Sequence, residues 1–319
     1  MAKGYYVGFD GGGTKTECVL LDGEGNLVAQ STAGPSNPLR AGFEKALVAL
    51  TAASDQALSI ARVDAARVRG VCAGLAGAGR ARVVKRVMVH LVETFPRADV
   101  HVTTDVEVAL EAAVGAGAGV ILIAGTGSIA LGRNAQGKTA RAGGLGPKIG
   151  DEGSAYDIGR KAVQAVARAR EGLAPVTILS DLIPEVLSCP TWEQLLERVA
   201  ENADDVFPRL YPAVVEAADA EDDPAREILF TAALALSQIA VSVVRRLGLT
   251  DREFVLAKSG GVFGHSKLLE TALDALLRSA ARKARITDLQ VSPAIGAVQL
   301  IRRMTATGEG KAASGGRRS

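Results

Sequence analysis

The predicted elements of this chain follow one order, and that order is repeated. Residues 4–118 show the pattern of three strands joined by tight turns, followed by helix, strand, helix, strand and helix. A three-strand pattern begins again at residue 119. Glycine turns coincide under a shift of 112 residues, which places Gly13-Thr14 on Gly125-Thr126 and Gly25 on Gly137. The repeat predicts an α/β protein with two domains of one architecture.

The repeat also sets the expected domain boundaries. We expect a first domain over residues 1–118 and a second over residues 119–292. Helical patterns between residues 152 and 246 form an insertion in the second domain. A last helix is predicted over residues 293–304. Residues 305–319 are mostly small and basic and lack periodicity, which is typical of a disordered tail.

Composition excludes several classes of function. The 37 Lys and Arg residues and 35 Asp and Glu residues leave a net charge of +2, which favours no nucleic-acid partner. No apolar signal region precedes Asp10, so a cytoplasmic location is expected. The uncharged stretches 112–132 and 228–244 contain glycines or polar side chains, and we interpret them as buried segments rather than membrane spans. These features favour neither a nucleic acid nor a membrane as a partner.

Two glycine turns at equivalent places of the repeat predict a polyphosphate site. The first follows Asp10 and consists of Gly11, Gly12, Gly13, Thr14 and Lys15. The second consists of Gly125, Thr126, Gly127 and Ser128. Glycines let successive backbone N–H groups converge on an anion, and an Asp at a strand end can hold a hydrated Mg²⁺ ion. Each turn alone is also compatible with a plain hairpin.

Three further segments are candidates for ligand contact. Gly260-Gly261 lies in a strand-to-helix turn, where close approach of a flat ligand or tight packing both explain the glycines. Asp105 follows a predicted strand and is either a helix N-cap or a carboxylate base. The glycine-rich residues 143–154 have the composition of a ligand loop, although Asp151 and Glu152 also suit the start of a helix.

One motif matches a known pattern but is rejected. Residues 132–139 fit the P-loop pattern G-x-x-x-x-G-K-S/T. A P-loop must open a helix whose N-terminus receives the phosphate. Glycines and Pro147 follow instead, so we predict that residues 135–137 form a hairpin tip.

Taken together, the motifs resemble the N-acetylglucosamine kinase group of the BadF/BadG/BcrA/BcrD ATPase family, within the actin, sugar kinase and Hsp70 superfamily. The resemblance covers about residues 4–304 and rests on Gly8–Thr16, Thr104-Asp105, Ala124–Ser128, Gly150–Ser154 and Ser259–Phe263. It implies two RNase H-like, actin-like ATPase domains that flank a nucleotide cleft. It also implies a final helix that crosses back to the first domain, and a homodimer.

The resemblance assigns roles to individual residues. Asp105 is similar to the family's catalytic base, and Asp10 to the residue that holds Mg²⁺ through water. The implied ATP-binding residues are Gly11, Gly12, Gly13, Thr14, Lys15, Gly125, Thr126, Gly127, Ser128, Gly260 and Gly261. The implied sugar-binding residues are Asn37, Asp105, Gly144, Leu145, Gly146 and Asp151.

The implied activity is phosphorylation of an amino sugar by ATP and Mg²⁺, with N-acetylglucosamine and its 6-hydroxyl as the acceptor. Leu145 stands where mammalian-type members carry Trp, so glucosamine and N-acetylmuramic acid are alternative substrates. A non-catalytic nucleotide-dependent regulator or activator is a further alternative. Activators in the family hold an iron–sulfur cluster through cysteines, but Cys18, Cys72 and Cys189 are isolated in sequence, so no cluster is expected.

Overall fold

The computed structural model describes residues 4–307, which divide into two compact units. The first unit comprises residues 4–117 together with 289–307, and the second comprises residues 118–288. The chain therefore enters the second unit once and returns to the first through its last helix.

The first unit is a five-stranded sheet with helices on both faces. Its strands are β1 (Tyr5–Gly11), β2 (Thr16–Asp22), β3 (Leu27–Ala33), β4 (Val68–Leu75) and β5 (Asp99–Thr103). Their order is β3-β2-β1-β4-β5. The meander β1–β3 is antiparallel, whereas β4 and β5 continue the sheet in parallel with β1.

Helices of the first unit cover the two faces of this sheet. They are α1 (Pro38–Ala41), α2 (Phe43–Ala61), α3 (Ala81–Thr94), α4 (Asp105–Val114) and the last helix of the chain (Pro293–Thr307). Apolar residues of α2 and α3 form one core with Phe9 and Leu20. The last helix packs on the opposite face and approaches β1 at Gly8, where an added Cβ would lie 2.1 Å from the Ala294 carbonyl oxygen. Glycine at this position permits that close contact.

The second unit repeats the sheet. Its strands are β6 (Gly119–Ala124), β7 (Ser128–Arg133), β8 (Thr139–Gly143), β9 (Phe254–Ser259) and β10 (Ala284–Asp288). The order β8-β7-β6-β9-β10 has the same connectivity as the first sheet. The matching hairpin tips share a further detail, because Asp22 Oδ1 and Asn134 Oδ1 each accept hydrogen bonds from backbone N–H groups of their own turn. The internal repeat inferred from sequence is thus present in both topology and turn chemistry.

Six helices of the second unit surround its sheet. They are α5 (Ala155–Arg170), α6 (Leu179–Leu187), α7 (Trp192–Arg209), α8 (Tyr211–Asp219), α9 (Asp223–Arg246) and α10 (Lys267–Ala280). The last helix, which belongs to the first unit, is α11 (Pro293–Thr307). Within residues 4–307, α9 alone is long and apolar enough to span a membrane. Its residues Leu229, Leu236 and Val243 are fully buried in the core of the second unit.

Three boundaries differ from the sequence prediction. The apolar pattern predicts a first helix over residues 41–62, but Gly42, with a φ of 83°, separates α1 from α2, which begins at Phe43. The sequence also predicts a last strand over residues 286–291, whereas the structure has it at Ala284–Asp288. Helix α11 continues to Thr307, so residues 305–307 are helical and not part of a tail. Residues 308–319 lie outside the described part of the chain.

The P-loop pattern occupies a β-hairpin, as the sequence analysis predicts. Asn134 N–H donates to the Lys138 carbonyl oxygen at 3.0 Å, and Gly137 closes the turn with a φ of 78°. Thr139 begins β8 rather than a helix. The chain after Lys138 therefore continues as a strand and does not begin the helix that a P-loop requires.

Replacement of this lysine tests the rejection of the P-loop. We expect Lys138→Ala to leave the affinity for ATP within a few-fold of the wild-type value, because the exposed side chain lies at a hairpin tip. Isothermal titration with ATP measures the effect. A folded variant that no longer binds ATP would restore the P-loop interpretation.

Candidate active site

Two acidic side chains lie at neighbouring strand ends of the first sheet. Asp10 pairs in register with Gly74 of β4, and Gly74 pairs with Thr103 of β5. Asp105 follows two residues after Thr103. Burial, together with the carboxylates of Asp105 and Glu17, raises the pKa of Asp10 to about 7, although Lys15 opposes the increase. The sheet therefore holds Asp10 and Asp105 close enough to repel each other.

The helix after β5 is capped by Thr104 and not by Asp105. Thr104 Oγ1 accepts a hydrogen bond from Glu107 N–H at 3.3 Å, and Glu107 Oε2 accepts one from Thr104 N–H at 3.1 Å. This reciprocal pair is a capping box. The alternative that Asp105 serves as the N-cap is therefore wrong. Asp105 is the first helical residue, where the helix dipole favours a negative charge.

The first glycine turn adjoins the segment that contains Asn37. Gly12 N–H donates to the Lys15 carbonyl oxygen at 3.0 Å, and the Gly12 carbonyl oxygen accepts from Ser36 and Asn37 N–H groups at 3.1 and 3.0 Å. Residues 13–15 at the tip of the turn are exposed. The exposed tip leaves its polar groups accessible to a ligand.

Asn37 is itself the N-cap of α1. Its Oδ1 accepts from Leu39 N–H at 3.0 Å, which fixes the amide at the start of the helix. The amide Nδ2 group carries two N–H donors that suit sugar hydroxyls. Gly77 lies beside this amide, since a Cβ built there would be 3.1 Å from Asn37 Oδ1. The loop of residues 76–79 therefore adjoins the candidate site, and the glycines of Ala76-Gly77-Ala78-Gly79 are the sequence signal that was missed.

The acidic pair fits a hydrated divalent cation better than a fully protein-coordinated one. Within residues 4–307, no group of three or more His, Cys, Asp or Glu side chains could hold a metal ion. A cation would relieve the repulsion that raises the pKa of Asp10. Mg²⁺ retains most of its waters and needs one or two carboxylates together with substrate phosphates. Asp10 is the residue most suited to hold such an ion.

In the second unit, the other glycine turn lies beside Gly260 and Gly261. The Ala124 carbonyl oxygen accepts a hydrogen bond from Val262 N–H at 3.0 Å, and the Gly125 carbonyl oxygen accepts from Ala155 N–H at 2.8 Å. A Cβ on Gly260 would lie 2.3 Å from the Ala124 oxygen, and Gly260 has a φ of 111°. A Cβ on Gly261 would meet no heavy atom of the described chain within 4 Å. Packing therefore explains Gly260 but not Gly261.

A cavity of about 430 Å³ opens beside Gly261. Its lining residues are Tyr211, Pro212, Val215, Glu216, Asp219, Gly261 and His265. Tyr211 Oη donates to the Val262 carbonyl oxygen at 2.7 Å, which joins α8 to the glycine turn. Burial raises the pKa of Tyr211 to about 12, so the hydroxyl remains a donor at neutral pH. Sequence analysis missed Tyr211 and His265, because no motif marks two side chains that meet only in the folded unit.

A buried lysine stabilises the segment after Gly261. Lys258 Nζ lies 3.2 Å from Asp274 and 3.4 Å from Glu270, and Glu270 also accepts a hydrogen bond from Gly264 N–H. Burial alone would lower the pKa of Lys258, but the carboxylates of Asp274, Glu270 and Asp288 outweigh it and raise the pKa. The positive charge of Lys258 thus fixes Glu270, which in turn accepts the hydrogen bond from Gly264 after the glycine turn.

The loop of residues 143–151 contacts the second glycine turn. Gly146 N–H donates to Asp151 Oδ1 at 3.4 Å, and a Cβ on Gly127 would lie 2.8 Å from Asp151 Oδ2. Burial raises the pKa of the Asp151 carboxyl, although backbone N–H groups of Gly146 and Ser128 partly offset it. Leu145 is 63% exposed at the tip of the loop. One loop therefore contains the predicted sugar-binding residues Gly144, Leu145, Gly146 and Asp151. Asp151 is the acidic residue at the base of that loop.

The structure brings the predicted site residues together in two groups. The first unit gathers Asp10, Gly11, Gly12, Gly13, Thr14, Lys15, Asn37 and Asp105. The second unit gathers Gly125, Thr126, Gly127, Ser128, Gly144, Leu145, Gly146, Asp151, Gly260 and Gly261. The cysteines belong to neither group as ligands. Cys18 and Cys72 pack into different hydrophobic clusters of the first unit, and burial raises the pKa of both thiols.

Comparison with known proteins agrees with this fold. The chain is 31% identical over 315 residues to an N-acetyl-D-glucosamine kinase of Dictyostelium discoideum, with 94% of this chain and 98% of that protein covered. It is 30% identical to an N-acetylmuramic acid/N-acetylglucosamine kinase of Clostridium acetobutylicum, with 93% and 98% covered. A crystal structure from Chromobacterium violaceum, provisionally assigned as an N-acetylglucosamine kinase, superposes with a TM-score of 0.75 at 26% identity and covers 93% of this chain and 98% of its own.

Two sheets of identical order, each with a glycine turn after its first strand, define the actin-like ATPase fold of sugar kinases. The chain belongs to the BadF/BadG/BcrA/BcrD ATPase family, whose profile matches residues 7–300. The fold and family implied by the sequence motifs are thereby confirmed.

A pair of alanine variants separates packing from ligand contact at the second glycine turn. Gly260→Ala should destabilise the fold by about 1–3 kcal/mol or more, since the new methyl group overlaps Ala124 and φ is positive. Gly261→Ala should keep the wild-type melting temperature and weaken ATP binding several-fold. Thermal melts and nucleotide titrations of both variants measure this. Wild-type ATP affinity in Gly261→Ala would remove this glycine from the site.

Proposed function

We propose that this chain transfers the γ-phosphoryl group of ATP to the 6-hydroxyl of an amino sugar, with N-acetylglucosamine as the principal substrate. The observation that carries the proposal is the acidic pair of the first unit. A nucleotide-binding fold alone serves switches as well as enzymes, whereas a second carboxylate beside the metal-binding one suits a proton acceptor.

Asp105 is the proposed general base. It removes the proton of the sugar hydroxyl as that oxygen attacks the γ-phosphorus, and the bond from phosphorus to the bridging oxygen of ADP breaks. Its place at the first position of α4 supports this role, because Thr104 and not Asp105 is the N-cap of the helix.

The glycine turns are the proposed phosphate ligands. Backbone N–H groups at the exposed tip of residues 11–15 and in residues 125–128 supply donors for phosphate oxygens. Asp10 would hold Mg²⁺ through water, and the ion, when bound, neutralises charge on the phosphates. The cavity beside Gly261 has space for the nucleoside, and the exposed ring of His265 lines it as a flat surface for a base.

The sugar is proposed to lie against Asn37 and the 143–151 loop. Asn37 is fixed by its capping bond and presents amide donors, while Asp151 presents an acceptor at the base of its loop. Exposed Leu145 offers an apolar surface without the area or N–H donor of an indole. This smaller side chain leaves room for a sugar with a bulky substituent at its 3-position.

Glucosamine and N-acetylmuramic acid are the alternative acceptors, and the Clostridium relative is described as a kinase of N-acetylmuramic acid and N-acetylglucosamine. A coupled assay of ADP release with glucosamine, N-acetylglucosamine, N-acetylmuramic acid and glucose tests the proposal. The highest kcat/KM should occur with N-acetylglucosamine. Nucleotide binding without ADP release from any of these sugars would favour a nucleotide-dependent regulator.

Asp105→Asn is the direct test of the base. Asparagine retains the shape of the side chain but cannot accept the proton at neutral pH, so kcat should fall by ~10²–10⁴. ATP affinity and melting temperature should change little, because the phosphate turns and the Thr104 cap are intact. Steady-state kinetics, ATP titration and thermal melts measure the three quantities.

Thr104→Ala is the matched control for Asp105→Asn. It removes the cap and keeps the carboxylate, so stability should fall by about 1 kcal/mol while turnover per folded molecule remains near the wild-type value. A wild-type rate in Asp105→Asn would show that this carboxylate is not the base.

Leu145→Trp tests how the loop selects the sugar. The larger ring should depress kcat/KM for N-acetylmuramic acid more than for N-acetylglucosamine, since the 3-lactyl ether needs the space that Leu145 leaves. Ile149→Trp places the same ring four residues along the loop, at a side chain that is 76% exposed, and serves as the control. Equal effects of Leu145→Trp on both sugars would exclude a role for this position in selectivity.

A further inference from the structure

Arg40 lies directly against the first glycine turn. A Cβ built on Gly13 would be 3.3 Å from both Cδ and Nη1 of Arg40, so the guanidinium group packs over the tip of the turn. Gly13, Thr14 and Lys15 are all exposed at this tip, as is Arg40. No motif marked Arg40 in the sequence, because it is separated from Gly13 by 26 residues and the whole of β2 and β3.

Backbone hydrogen bonds fix the position of Arg40 relative to the glycine turn. Asn37 caps α1, Pro38 occupies its first helical position, and Arg40 N–H donates to the Asn37 carbonyl oxygen at 3.1 Å. The Gly12 carbonyl oxygen accepts hydrogen bonds from Ser36 and Asn37, which joins the start of α1 to the glycine turn. Arg40 is therefore placed by the same bonds that place Asn37.

The charges around the first glycine turn indicate which ligand the guanidinium group of Arg40 can bind. Asp10, Asp105 and Glu17 lie together in the first unit, and Lys15 is the nearby cation that lowers the pKa of Asp10. A nucleotide triphosphate brings about four further negative charges, which a single lysine and a divalent ion do not balance. A guanidinium group over the tip supplies a further positive charge and several N–H donors arranged for phosphate oxygens.

We propose that Arg40 binds the terminal phosphoryl group of the nucleotide and stabilises the negative charge on its oxygens during transfer. This proposal rests on the proposed function, because it takes residues 11–15 as a phosphate turn. Arg40 donates hydrogen bonds and moves no proton, since a guanidinium group stays protonated. Its effect therefore depends on whether the third phosphate is present.

Nucleotide binding without sugar tests the proposal. Titration calorimetry with the non-hydrolysable triphosphate AMPPNP and with ADP, both in Mg²⁺, gives the two dissociation constants for the wild-type protein, Arg40→Gln and Arg40→Lys. Arg40→Gln should weaken AMPPNP binding roughly 10- to 100-fold, the loss typical of a charged hydrogen-bond pair, and leave ADP binding within a few-fold. Arg40→Lys should retain part of the difference, because it keeps the charge but not the two-pronged geometry.

Arg62→Gln is the matched control. Arg62 is exposed just after the far end of the 19-residue helix α2, about 30 Å from its start. This variant removes the same charge from the same unit and should bind both nucleotides like the wild-type protein. Melting temperatures of all variants verify that each is folded.

The outcomes separate this proposal from the proposed function. Equal affinity changes for AMPPNP and ADP in Arg40→Gln, or none, would overturn the role of Arg40 while kinase activity of the wild-type protein stands. A change confined to the KM for N-acetylmuramic acid would overturn it in favour of contact with the sugar carboxylate. A wild-type protein that binds neither nucleotide would overturn the proposed function and this proposal together.

Discussion

The burial of Asp10 beside Asp105 is the constraint on which the candidate site of the first unit depends. The register of β1, β4 and β5 places Asp10, Gly74 and Thr103 in one row, and Asp105 follows at the first turn of α4. Burial and the neighbouring carboxylates raise the pKa of Asp10 to about 7. Burial of one carboxylate beside another costs folding free energy, and the proposed roles of Asp10 and Asp105 account for that cost.

The two halves of the repeat differ in the length of the glycine turn that follows the first strand of each sheet. Gly11 pairs with Thr16 across the first turn, but Ala124 pairs with Ser128 across the second, which is one residue shorter. Consequently Ile123 occupies the place of Asp10 in the second unit. The duplicated sheet provides two glycine turns, and the first of them follows an Asp. The proposed function accordingly places the metal and the base in the first unit, and the nucleoside in the cavity beside Gly261 of the second.

Regular elements were predictable where local chemistry decides them. Turns that combine glycine with Asp or Asn predicted both hairpin tips, including the one that matches the P-loop pattern. There Asn134 accepts hydrogen bonds from nearby backbone N–H groups and Gly137 has a positive φ, so the turn is formed by residues close in sequence. The sequence left open whether Asp105 is the N-cap of α4, because Thr104 and Asp105 are both acceptable caps. Only the contact of Thr104 with Glu107 distinguishes them.

Sequence by itself determined the repeated sheet, because glycine turns recur along the chain, and the family, because its motifs occur in order. The resemblance to that family then supplied candidate site residues such as Asn37, which no local spacing marks. Only the tertiary structure decided that Gly260 is required by packing while Gly261 faces open space. Likewise it placed Gly77 beside Asn37, Tyr211 against Val262 and Arg40 over Gly13. These pairs are 40, 51 and 27 positions apart along the chain, and strand pairing and helix packing bring them together. A local sequence pattern cannot predict a contact between two residues that belong to different elements of the fold.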